Sequence, residues 1–270
     1  MLAFEITTTT AYLIATIFLS VDLVRRESRY RQPFLWLLFL GFAFSTIDLI
    51  LHSIHAVRGG FLPFSGAPRS LSMLSWMLIV IVLYTQAKER WFPVSALLTP
   101  IAFVSSLLAL FQHESMEPVR GETTTAVFVL HVAVLLFGIG CVCLAFCSAL
   151  LYLVQQRELK SKHVGRLLAL LPPLEVLDRT ALRSMILGVV LLTIGNATGI
   201  YLAHVYWKTE WLSQKKFVFS MLTWWWFVIS LGVRYLVGWR GGRFFALIVV
   251  GFIFLLFTLA LSVLRTWPWI

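Results

Sequence analysis

Charge is scarce in this chain: 13% of its 270 residues are Asp, Glu, Lys or Arg, about half the roughly 25% of a soluble domain. Set against 60% hydrophobic residues and a mean hydropathy of +0.89, that shortage excludes an ordinary soluble protein. Cysteine is scarce too. Cys141, Cys143 and Cys147 lie in one apolar run, and no C-x-x-C or C-x-x-C-H occurs, so covalent haem attachment is unsupported. Cys143 and Cys147 share a helix face and read as small packing residues. No Lys or Arg precedes the first apolar run and no A-x-A-like site follows it at a suitable place, so it reads as a retained helix and not a cleaved signal peptide. Long-period repeats and low-complexity linkers are also missing. The formal net charge is +10. In a soluble chain that would suggest nucleic acid, but here the bases gather in particular connections. They read as an orientation signal, with membrane lipid as the surroundings and no nucleic-acid partner.

What is present is a series of long apolar runs. A helix needs roughly 20 apolar residues to cross a bilayer core. Eight runs qualify, at about 4–24, 33–57, 70–87, 92–111, 123–154, 180–206, 217–238 and 243–264. All should be helices, because lipid offers no partner to open backbone groups. The fifth is longer than a crossing needs, so it tilts or projects from one face. The connections "RRESRYR", "AKER", "RELKSKHVGR" and "GWRGGR" are net basic and follow the odd-numbered spans. The loop "QHESMEPVRGE" is acidic, and the connection after span two has only Arg58 and Arg69. The positive-inside rule puts the first set in the cytoplasm. The expectation is an all-α polytopic bundle of about eight transmembrane helices. It forms a single integral-membrane domain, 1–270, with both termini on the non-cytoplasmic side. Pro172 and Pro173 break any helix before them. With Glu175 and Arg179 paired four apart, they make an interfacial elbow leading into span six.

Ionisable groups inside spans are costly and are candidates for function. In "STIDLILHSIHA", Asp48, His52 and His55 fall on one helical face. In "FVLHVAVL", His131 lies about two turns from the outer end of span five. Two imidazoles from different helices at similar depth suit a flat metal macrocycle gripped from both sides, and Asp48 could fix the tautomer of His52. His113 and His204 also lie on the outer side, and only His163 on the cytoplasmic side. Gly195 and Gly199 form a small-xxx-small pair for close helix packing, with Asn196 bonding across helices. Trp224, Trp225 and Trp226 read as packing or an interfacial belt.

The words "LPPLEVLDR", "LLTIGNATGIYLAH", "WLSQKKFVFSMLTWWWF" and "GWRGGRFFALIVVGF", in this order over eight spans, resemble the cytochrome c assembly protein family, in its short HemX-like branch. The resemblance covers most of the chain and is strongest from about residue 125 to 262. It implies a bacterial cytoplasmic (inner) membrane protein that binds haem b without covalent attachment. By position, His113 and His204 would be an external pair flanking the haem, and His52 and His131 an in-span pair. In span two, "LHSI" fits the family's pattern better than "IHAV", which favours His52 over His55. Trp211 would match the tryptophan before the family's external turn, and Lys216 its lysine, while Gln214 stands where the family has aspartate.

Haem is a flat apolar disc with two anionic propionates. His204 would supply an imidazole, Trp207 or Trp211 an aromatic face, and Lys208, Lys215 or Arg58 a cation. The outer loops are too short to dock an apocytochrome. The resemblance therefore implies haem binding, for haem transfer or redox maintenance, and leaves room for a partner membrane subunit of a cytochrome c assembly system. No nucleophile or general-base arrangement is present, so no enzyme is expected. Two rivals remain: a proton- or ion-coupled transporter on the same fold, using Asp48 and the buried histidines, and a membrane scaffold for a haem-synthesis enzyme, docking through the basic stretch Arg157 to Arg183.

Overall fold

The computed structural model describes residues 2–25, 31–86, 92–112, 121–161, 171–207 and 215–264. Among them lie eight α-helices, each long and apolar enough to span a membrane. They are α1 (Leu2–Arg25), α2 (Arg31–Arg58), α3 (Ala67–Gln86), α4 (Phe92–Leu110), α5 (Glu122–Lys160), α6 (Leu174–Trp207), α7 (Lys215–Gly232) and α8 (Gly242–Leu264). The all-α, eight-span expectation holds. Contacts divide the chain into two compact units, Met1–Val129 and Leu130–Ile270.

The first unit is an antiparallel ring of four helices, α1 on α2 and α4, and α3 on α2 and α4. Lipid-embedded helices gain little from apolar contact alone, so close approach and polar ties hold them. A Cβ on Gly41 would lie 2.5 Å from the Tyr12 ring, and this missing side chain lets α2 lie against α1. Hydroxyls bond between α1 and α4 (Thr9 to Ser106, 2.7 Å) and between α3 and α4 (Thr85 to Ser95, 2.8 Å). Trp76 stacks on Phe42 and donates its indole N–H to Thr46 Oγ1 at 2.8 Å, fastening α3 to α2.

The second unit repeats the plan with a glycine seam. Gly138 packs against Leu192, Gly188 against Val142, Gly195 against Leu135 and Gly199 against His131. In every pair the two residue numbers add to the same total, so α5 and α6 run antiparallel in one unbroken register. Cys141, Cys143 and Cys147 are buried free thiols in α5, in keeping with the packing role expected of Cys143 and Cys147. Phe146 stacks on Phe252, and Tyr152 meets Phe245, joining α5 to α8. On the far side α7 closes the ring. Trp224 donates to Thr193 Oγ1 of α6 at 2.9 Å, and Trp226 to the Leu247 carbonyl of α8 at 2.9 Å. Trp225 between them is exposed. No hydrogen bond from Asn196 is seen among the described residues.

Two boundaries differ from expectation. The new helix expected after Pro172–Pro173 is present, but span six starts there and not near residue 180: α6 is one continuous helix from Leu174, its first free amides turned toward the Pro173 carbonyl. The Glu175–Arg179 pair is there, exposed on its first turns. Span seven is not one α-helix. It ends at Gly232 and continues as a π-helical turn, Val233–Val237, which carries Arg234 to Asp178 of α6 (2.9 and 3.1 Å) and over the Phe244 ring. A single wide turn of this kind re-aims a side chain without ending the helix.

Candidate functional site

In the second unit the functional geometry centres on His131. Its ring lies over Gly199, whose added Cβ would stand 2.7 Å from His131 Cε1. Nδ1 lies 2.8 Å from the Gly195 carbonyl oxygen and 3.2 Å from Thr198 Oγ1. A carbonyl only accepts, so Nδ1 carries the proton and donates. The other nitrogen, Nε2, then holds the lone pair of the neutral ring. Such an arrangement prepares an imidazole as a ligand: a hydrogen bond on one nitrogen fixes the tautomer and raises the basicity of the other. Thr198 completes the seat by bonding back to Ile194 and Gly195. Thus Gly195 and Gly199, expected only to bring helices close, also form the cradle of the histidine.

His204 lies five residues beyond Gly199 in the last turn of the same helix, and it is exposed. At 3.6 residues per turn it points roughly 140° around the axis from Gly199. The structure therefore places His131 and His204 at one end of the α5–α6 pair but on different faces of α6.

In the first unit, His52 is 1% exposed and Asp48 3%. They are one turn apart on α2, while His55 is exposed. The carboxylate of Asp48 meets a group that sequence reasoning placed elsewhere. Arg69 Nη1 lies 2.9 Å from Asp48 Oδ2 and 2.6 Å from Glu5 Oε1. Arg69, counted above as a charge of the connection, is in the first turn of α3 and 3% exposed. It joins α1, α2 and α3 in a triad one turn below His52, buried at Arg69 and Asp48 and partly exposed at Glu5. The signal for it was present: in alternating helices Glu5, Asp48 and Arg69 fall at one end of the bundle with opposite charges. Arg58 is the exposed last residue of α2, where a cation faces the negative end of the helix dipole.

The remaining candidates lie outside the described residues: His113, Lys208 and Trp211 entirely, and Trp207 and Lys215 in their side chains, although their backbones close α6 and open α7.

These features define a multi-pass membrane protein with histidines set inside its spans. Residues 116–266, more than half of the chain, match the family described as Cytochrome C assembly protein, and the chain belongs to that family. It is similar to the cytochrome c biogenesis protein CcsA of Guillardia theta, 27% identical over 77% of this chain and 75% of the relative. It is 28% identical to the inner membrane protein YpjD of Escherichia coli K12, over 74% of this chain and 76% of that one. The protein HemX of Brevibacillus brevis is 26% identical over 78% of this chain and 77% of its own length.

Proposed function

We propose that this protein is an accessory protein, and not an enzyme, of cytochrome c or haem biogenesis in the bacterial cytoplasmic membrane. It binds haem b non-covalently through histidines on the non-cytoplasmic half of its spans and serves haem transfer or redox maintenance. Both termini lie on that side, as the basic odd-numbered connections require. A partner membrane subunit would carry the surface that meets an apocytochrome.

One observation carries the reading. His131 sits in a glycine cradle with Nδ1 bonded to the Gly195 carbonyl, which leaves the lone pair on Nε2. The donor chemistry fits haem. Among the described residues no group of three or more His, Cys, Asp or Glu could hold a bare metal ion, whereas a porphyrin iron asks the protein only for one or two axial ligands. When bound, haem would supply reversible one-electron chemistry at its iron. Within the membrane the axial ligands would be His131 in the second unit and His52 in the first, each taken by itself, with His204 and His113 as ligands at the outer face. Trp207 or Trp211 would cover the ring, and Lys208, Lys215 or Arg58 would meet the propionates. The relatives named for cytochrome c biogenesis and the inner membrane support the same assignment.

The experiment is a visible spectrum with a pyridine haemochrome assay on detergent-purified protein. A b-type spectrum is expected, with the Soret band falling stepwise on His131→Ala and His52→Ala. A colourless preparation from haem-replete cells would end the proposal.

A second reading has one observation in its favour. The Glu5–Arg69–Asp48 triad beside His52 places ionisable groups in the body of the first bundle, as a proton route does. In a transporter, colour would be absent, and Asp48→Asn would stop flux across vesicles.

A further inference from the structure

The second unit holds a cleft that the haem reading does not use. It lies where the C-terminal end of α5 meets the connection between α7 and α8. Its volume is about 540 Å³, and its lining includes Lys160, Arg240, Arg243, Gln156, Trp239 and Gly242. We infer that this cleft binds a phosphate-bearing anion, the headgroup of an anionic membrane lipid.

Charge is the first ground. Among the described residues, three cations line the cleft and no carboxylate does. The nearby Arg234 is held by Asp178, and Arg69 and Arg179 are likewise paired, with Glu5 and Asp48 and with Glu175; among the described residues Arg58, Arg157 and Arg183 stand unpaired but singly on exposed positions. Among the described residues Lys160, Arg240 and Arg243 are in no ion pair. An orientation signal needs positive charge in a connection; it does not need that charge gathered around a cavity. The volume lies within the range of about 300–1,000 Å³ of small-molecule sites.

Backbone shape is the second ground. Gly238 (φ 78°) and Gly241 (φ 64°) are left-handed, a conformation that glycine alone adopts without strain. They bracket Trp239 and Arg240. At Gly242 a Cβ would lie 2.6 Å from Gln156 Oε1, so glycine lets α8 close on the amide of Gln156 and bring it into the wall. The motif G-W-R-G-G-R therefore builds a concave basic site.

The third ground selects a lipid over a soluble phosphate. The π-helical turn beside the cleft exposes Tyr235, Leu236 and Val237, with Leu236 88% exposed. An apolar strip running into a cationic cleft matches an amphiphile, with acyl chain on the strip and phosphate among the bases. Basic pockets at the ends of membrane helices bind acidic headgroups in this way.

The test uses the full protein in neutral detergent and reads its thermal unfolding, because a ligand of the folded state raises Tm with its concentration. Dioctanoyl phosphatidylglycerol should raise Tm saturably, while dioctanoyl phosphatidylcholine and inorganic phosphate should not. Arg240→Gln with Arg243→Gln should weaken that response about 30-fold, each cation near a lipid surface contributing roughly fivefold. Lys160→Gln alone should weaken it about fivefold, and stands in if the double variant folds poorly. Arg157→Gln with Arg183→Gln removes the same net charge outside the cleft and should leave the response intact. A saturable response to inorganic phosphate with the same variant dependence would keep the site and reassign its source to a soluble phosphate. Phosphatidylcholine acting as well as phosphatidylglycerol would overturn the inference, and so would an unchanged response in the cleft variants. No haem band is read, so the outcome is separate from that of the haem proposal.

Discussion

Gly199→Ala tests whether the seat of His131 matters beyond packing. The added methyl would stand 2.7 Å from His131 Cε1 and 3.3 Å from Nδ1, where carbon contacts settle at about 3.5–4.0 Å. The imidazole must move by roughly 1 Å to restore that separation. Its bond to the Gly195 carbonyl is 2.8 Å long, so a shift of that size breaks or bends it. Crowding a packed seam costs about 1–3 kcal/mol, and the lost hydrogen bond about 0.5–1.5 kcal/mol more. Gly188→Ala is the comparison. It crowds the same seam, its Cβ 3.0 Å from Val142 Cγ2 and 3.2 Å from the Gly138 carbonyl, but it touches no histidine. Thermal unfolding in detergent should fall for both variants. Haem content per protein and Soret position should change only in Gly199→Ala, since there the Nε2 lone pair is re-aimed. A Gly199→Ala protein with wild-type haem content and an unshifted Soret band would refute the claim that this cradle sets the ligand.

The remaining predictions concern the framework. Arg69→Met removes the cation from a triad in which Asp48 and Glu5 are 4% and 16% exposed; breaking a buried ion pair from one side costs about 3–5 kcal/mol. The fall in Tm should be large, and Arg183→Met, an exposed control, should show little. Trp224→Phe loses the indole bond to Thr193 and should cost about 0.5–1.5 kcal/mol, whereas Trp225→Phe, on an exposed ring, should change Tm within about 0.5 kcal/mol.

Much of the fold was legible because lipid imposes it. Eight apolar runs became eight helices, and Cys143 and Cys147, read as small packing residues, are buried. What the sequence hid was register and aim. Gly195 and Gly199 announced close packing, but which side chain fills the gap depends on how α5 slides along α6, and hydropathy is blind to that slide. Arg69 was counted with a connection because charge normally marks the end of a span; here its helix begins two residues earlier and the charge turns inward. The run Trp224–Trp225–Trp226 looks like one feature in sequence. Successive residues of a helix point about 100° apart, so the three rings go to α6, outward and α8. The π-helical turn leaves no trace in periodicity, since one wide turn shifts the apolar pattern less than ordinary variation does.

The α5–α6 seam also shows why His131 asks for a functional account. One turn along, Leu135 fills the space over Gly195 by apolar contact alone, and a leucine at 131 would serve the same packing. An imidazole there must shed its hydration on entering the membrane, and an unpaired polar group in such surroundings costs several kcal/mol. The Gly195 carbonyl and Thr198 satisfy Nδ1 and so offset part of that cost. With Nδ1 as the donor, Nε2 is the acceptor nitrogen of the ring, the atom through which an imidazole binds a metal. Coordination to haem iron, as proposed above, would add binding that a leucine at 131 has no means to supply. On this argument removing the ligand matters more to the histidine protein than to its leucine variant. His131→Leu should therefore unfold at a temperature close to that of wild type stripped of haem, and well below that of the haem-loaded protein.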